Sequence, residues 1–144
     1  MSSRPKIVII GAGGVGKTTY VERLMNGNFD PKYTATLGVD VNVLQILSTL
    51  IVVWDCAGQE KFKGLGDGYY TNANGFIIMC DDSKISQKIA REEYEYLNRK
   101  YPQIPKVLCC NKVDIVECTM SDFIPISVKK NMNMYKPILH LIKA

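Results

Sequence analysis

Residues 11–19 read GAGGVGKTT, and the fold follows from what stands on either side of them. The run KIVII at residues 6–10 has the length and β-branched character of a buried strand, and a helical stretch follows Thr19. Strand, glycine loop and helix in that order satisfy G-x-x-x-x-G-K-[ST] in the context where the motif has chemical meaning. Glycines let successive backbone N–H groups converge on phosphate oxygens, the helix start adds a positive dipole, and a cation neutralises the outer phosphates. Gly13, Gly14, Val15 and Gly16 form this cradle, Lys17 is the cation, Thr18 offers a hydroxyl to Mg²⁺, and Thr19 completes the motif. A turn that only joined strand to helix would need neither Lys nor Thr at those positions.

Outward from this loop, apolar runs of strand length recur at about residues 39–47, 49–55, 75–81 and 106–111, interleaved with helical spacing. That alternation predicts an α/β sheet. Residues 39–54 read as two strands joined at Ser48 and Thr49, which adds one antiparallel strand. Residues 86–101 place Ile89, Ala90, Tyr94, Leu97 and Tyr101 on one side of an amphipathic helix. The segment NMNMYKPILHLIKA suits a helix capped by Asn131 or Asn133, with Pro137 near its first turn.

At 144 residues, 47% hydrophobic and 22% charged, the chain is expected to be one domain, residues 1–144. Its longest apolar runs are far short of the roughly 20 residues that cross a bilayer. The first residues, MSSRPK, lack a signal-peptide core and HLIKA carries no cysteine placed for prenylation, so a soluble, unanchored intracellular protein is expected. Five cysteines, odd in number and without metal-ligand spacing, read as reduced, partly buried thiols. The net charge of +4 is spread along the chain, which argues against nucleic-acid binding.

Two further motifs follow strands. WDCAGQEKF begins with Trp54 and Asp55 at the end of an apolar run, where Asp55 can hold Mg²⁺ through water. NKVD at residues 111–114 follows KVLCC. A carboxylate at Asp114 accepts from both guanine N1–H and the 2-amino group, whereas adenine offers no such donor pair; discrimination on the order of 10⁴ follows from leaving the site's polar groups unpaired. His140 stands without a nucleophile or metal motif and reads as a surface or structural residue.

In this order GAGGVGKTT, DCAGQE and NKVD resemble the Ras superfamily of small GTPases. Within it, YTATLGVDVNVL, AGQEKFKGLGDGYY, VLCCNKVDI and ISVKKNMNMYKPILHLIKA resemble the Ran family, a likeness that runs from Lys6 almost to the end. The resemblance implies a small G-domain of the P-loop class: six strands, mostly parallel, with one antiparallel edge hairpin strand, flanked by helices. It implies bound GTP or GDP with Mg²⁺. Thr36 would coordinate Mg²⁺ and sense the γ-phosphate, joining Thr18 and Asp55 as metal residues. Phe29 would pack against guanine, Tyr33 would lie near the phosphates, Gly58 would donate its N–H to the γ-phosphate, and Gln59 would orient the attacking water. Asn111, Lys112 and Asp114 would hold the base from one side, with Ser127, Val128 and Lys129 capping it and the Val128 N–H reaching O6. Gln59 and Lys17, with Tyr33, are the implied catalytic residues.

Partners implied by the resemblance are transport-receptor-type effectors, an exchange factor and a GTPase-activating protein, acting on a monomer found in nucleus and cytoplasm. The function implied is slow GTP hydrolysis as a timed switch in nucleocytoplasmic transport. A second reading is a binding-only mimic that sequesters transport factors, and a third, an ATP-using enzyme, predicts equal binding of ATP and GTP.

The chain departs from the family in the twelve residues IVECTMSDFIPI, which are too few for a full helix plus a strand. The helix between the fifth and sixth strands is therefore expected to be missing or reduced, and the sixth strand short, with Pro125 tolerated at a sheet edge. The family's alanine is Val128 here, the hairpin between the switches is trimmed, and no acidic tail follows Ala144, so control by tail release is not expected.

Overall fold

A computed structural model describes residues 4–12, 14–25, 33–34, 40–46, 49–55, 70–111, 122–130 and 132–142. In chain order the elements are β1 (Lys6–Gly11), α1 (Lys17–Met25), β2 (Tyr33–Thr34), β3 (Asp40–Ile46), β4 (Thr49–Asp55), β5 (Gly75–Cys80), α2 (Lys84–Lys100), β6 (Lys106–Cys110), β7 (Phe123–Pro125) and α3 (Lys136–Ile142). They build one sheet in the order β2-β3-β4-β1-β5-β6-β7. The pairs β4–β1, β1–β5, β5–β6 and β6–β7 are parallel; β2–β3 and β3–β4 are antiparallel. The six expected strands are thus present, and β2 adds a two-residue pairing of Tyr33 with Val41 and Thr34 with Asp40 at the edge.

Burial explains why the strands carry the residues they do. In β1 and β5 nearly every residue is buried, because helices cover both faces of the central parallel strands. One face carries Ile7, Ile9, Ile77, Met79, Val107 and Cys109, closed by Tyr20, Val21 and Leu24 of α1 and Ile138 and Leu141 of α3. Val8, Ile10, Ile78, Leu108 and Cys110 lie on the other, closed by Ala90 and Leu97 of α2 and by Tyr70, which meets Phe76 edge-on at 5.4 Å. Cys109 and Cys110 thus point to opposite faces, and both are buried because both faces are covered. Burial pushes the Cys109 thiol well up, so it stays protonated. Alternation is cleaner in the hairpin: Leu44, Ile46, Ile51 and Val53 are buried, while Val43 and Leu50 remain exposed. Trp54 is half-buried, with the Lys6 ammonium 3.8 Å from its ring centre.

The sequence reading placed Thr49 in the turn, but Thr49 pairs with Ile46 and belongs to β4; Ser48 lies outside the described residues. Helix α2 starts two residues before the predicted position, because Ser83 caps it by accepting the Ser86 N–H at 3.1 Å. Ala90 and Leu97 are buried as expected, and Tyr94 and Tyr101 are partly buried. At the other end, Lys106 donates to the carbonyls of Tyr101 and Ile104 at 2.7 Å each and ties the helix to β6; burial lowers its pKa. Strand β7 is short, sits at the edge and ends on Pro125 paired with Cys110, as its sequence requires. Whether a helix separates β6 from β7 lies outside the described residues. In the last helix Pro137 occupies the first turn, but the Asn133 amide N–H donates back to the Pro125 carbonyl at 2.9 Å. Asn131 lies outside the described residues. His140 is exposed on α3, and among the described helices none is long and apolar enough to cross a membrane.

Candidate functional site

In an open parallel sheet, ligands settle outside the carboxyl ends of the strands. Here those ends deliver the glycine loop after β1, Asp55 at the end of β4, Asn111 after β6 and Ser127 after β7 to one rim.

The phosphate cradle is built first by backbone conformation. Gly14 and Gly16 have φ of 82° and 102°, values that suit glycine. Gly16 has a second constraint, since a Cβ there would stand 2.4 Å from Asn111 Nδ2. Helix α1 starts at Lys17 with no acidic residue in its first turn, which leaves its positive end for an anion. Lys17 is buried to 4% exposure, and its ammonium donates to the carbonyl of Gly11 and, at 2.9 Å, to that of Ala12. The charge is thereby held across the loop it serves.

Beside it, the Thr18 hydroxyl donates to Asp55 Oδ2 at 2.6 Å across 37 residues of sequence. Asp55 is buried at 1% exposure. A hydroxyl and a carboxylate at hydrogen-bond distance form a hard-oxygen pair, and among the described residues no cluster of three His, Cys, Asp or Glu side chains could enclose a metal alone. Such a pair fits Mg²⁺, which takes one or two protein ligands and completes its shell with phosphate oxygens and water.

On the base side, Asn111 is the joint. Its Nδ2 donates to the Val15 carbonyl at 3.0 Å, and its Oδ1 accepts the Val128 N–H at 3.1 Å. A single buried amide thus clamps the glycine loop after β1 to the loop that follows β7. The resemblance sends the Val128 N–H to guanine O6; here that donor faces Asn111, so reaching O6 requires it to share or change its acceptor. Ser127 is fully buried, exchanges two backbone bonds with Met132 at 3.1 and 2.9 Å, and accepts the Lys130 N–H on its hydroxyl at 3.1 Å. Val128 is buried at 5% exposure and Lys129 is exposed.

Of the expected site residues, Gly14, Val15, Gly16, Lys17, Thr18, Thr19, Asp55, Asn111, Ser127, Val128 and Lys129 are described, and they gather on one rim. Gly13, Phe29, Thr36, Gly58, Gln59, Lys112 and Asp114 lie outside the described residues, as does the side chain of Tyr33. Sequence spacing did not reveal the bracing of the base loop by Asn133 and by Tyr20, whose hydroxyl donates to the Met134 carbonyl at 2.6 Å. No motif carries that signal, because Tyr20 and its acceptor lie 114 residues apart.

Compared with known protein families, residues 6–114 match the model described as Roc, "Ras of Complex, Roc, domain of DAPkinase". The matched segment runs from the first residue of β1 to the aspartate of NKVD and includes the phosphate loop, Asp55 and Asn111.

Proposed function

Because this chain belongs to the Roc family, and so to the Ras-like GTPases, we propose that it is a Ran-like switch that binds GTP and GDP with Mg²⁺ and hydrolyses GTP slowly. The observation that carries the reading is Asn111, whose amide joins the Val15 carbonyl to the Val128 N–H and so couples a phosphate loop to a base loop. A general phosphate-binding loop would not need that clamp. The Ran-like assignment is supported by the stretches quoted above, chiefly AGQEKFKGLGDGYY and ISVKKNMNMYKPILHLIKA.

Phosphoryl transfer asks a protein for position and charge rather than covalent chemistry. Lys17 and the N–H groups opening α1 bind and orient the outer phosphates. Thr18 and Asp55 hold the magnesium position, and bound Mg²⁺ supplies charge neutralisation across the phosphate oxygens. Gln59 orients the attacking water, Thr36 and Gly58 respond to the γ-phosphate, and Asp114 selects guanine. Loss of the γ-phosphate releases the Thr36 and Gly58 tethers and lets the two segments that carry them, the switches of this family, relax. Partners follow from this reading: transport-receptor-type effectors, an exchange factor and an activating protein, with the protein shared between nucleus and cytoplasm.

Mg²⁺-dependent GTP turnover, measured alone and with a Ran-type activating protein, tests the proposal. Slow intrinsic turnover accelerated roughly 10³-fold or more supports it. Tight GTP binding with no turnover in either case favours the binding-only mimic and removes the switch reading.

A further inference from the structure

Tyr20 belongs to none of the nucleotide motifs, yet it stands between the two halves of the site. It lies on α1 one turn beyond Gly16, to whose carbonyl its N–H donates at 2.8 Å. The helix that carries Lys17 and Thr18 therefore also carries the Tyr20 hydroxyl. The ring is completely buried, and the hydroxyl donates to the Met134 carbonyl at 2.6 Å.

Met134 is part of the returning limb of the base loop. Two residues earlier, Met132 closes that loop by exchanging both backbone hydrogen bonds with Ser127. Between them Asn133, at φ 57°, donates to the Pro125 carbonyl on the outgoing limb at 2.9 Å. Asn133 thus pins the limbs to each other, and Tyr20 pins the returning limb to the phosphate helix. Asn111 supplies the other link, on the near side of the loop.

We propose that Tyr20 is a positioning residue for the base half of the nucleotide site, its hydroxyl holding residues 127–129 in register with the helix that binds the phosphates. The inference rests on the guanine-nucleotide reading above. Phenylalanine at position 20 would fill the same space and leave the Met134 carbonyl without its donor. The lost bond acts on the loop and not on Lys17, so its effect falls on base contacts and spares phosphate contacts.

The test compares the unmodified chain with Tyr20→Phe in two assays: release of a fluorescent GDP, and competition by inorganic tripolyphosphate, which has phosphates but no base. Tyr20→Phe should speed release by about five- to tenfold, the value of one ordinary hydrogen bond, with the inhibition constant of tripolyphosphate, corrected for the weaker probe, unchanged. A second variant, Asn133→Gly, keeps the positive φ, removes the Pro125 bond and should show the same split. Release within twofold of the unmodified chain for both variants would overturn the proposal, as would an equal loss against tripolyphosphate, which is the mark of general destabilisation. Failure of the unmodified chain to hold guanine nucleotide would overturn the parent reading and this one together, whereas normal binding with unaltered variants overturns this one alone.

Discussion

Asn111 is the residue on which two loops depend, and its replacement should be felt twice. Asn111→Ala leaves the Val15 carbonyl and the Val128 N–H without their partner, at a cost of about 2 kcal/mol or more in urea unfolding. Gly16→Ala should act on the same joint from below. Its Cβ would stand 2.4 Å from Asn111 Nδ2 at a φ of 102°, so strain of about 1–3 kcal/mol is expected. Because the two changes share one contact, their combined cost in unfolding should fall short of the sum. The sequence pointed to Lys17, Thr18, Asp55 and Asn111 because motif chemistry fixes residue type and spacing together, and the structure brings these four to one rim. The sequence did not disclose that the Val128 N–H faces Asn111 Oδ1, or that Tyr20 reaches Met134, since such partners are decided by packing between distant segments.

At the scale of elements, strand periodicity carried most of the information. Apolar runs in β1, β4 and β5 announced strands, but not how each is covered: LIVVW in β4 is as unbroken as KIVII in β1, yet β4 alternates in burial while β1 and β5 are buried almost throughout. Ends were harder to place, because caps and pairings set them. Ser83 begins α2 earlier than its apolar spacing does, and Ser83→Ala should cost about 1 kcal/mol in thermal or urea unfolding. Near the sheet edge, Arg91 grips Asp122 through two bonds of 2.8 and 3.1 Å. That hydrogen bonding holds the Asp122 carboxyl below its ordinary value of 3.8. The pair therefore stabilises the fold above the ordinary carboxylate pKa, and the gain disappears as pH falls through the depressed one. With side chains 49% and 51% exposed, solvent screening keeps the gain below about 1 kcal/mol. Stability of the chain and of Asp122→Asn, followed by urea unfolding from pH 7 downward, should differ slightly at neutral pH and converge in acid.

For the molecule as a whole, one sheet brings the glycine loop after β1, Asp55, Asn111 and the loop after β7 to the same rim from positions spread between Gly11 and Ser127. That convergence was legible in outline, because a P-loop after one parallel strand and NKVD after another imply a common carboxyl edge. The two-residue strand β2 was not legible, since so short a pairing leaves no periodicity to read. The central claim is that this rim selects guanine nucleotides. Competitive titration of GTP, GDP and ATP against the purified protein with Mg²⁺ tests it most directly. The account predicts that GTP and GDP bind and that ATP is weaker by a factor on the order of 10⁴; equal affinity for ATP and GTP would contradict it.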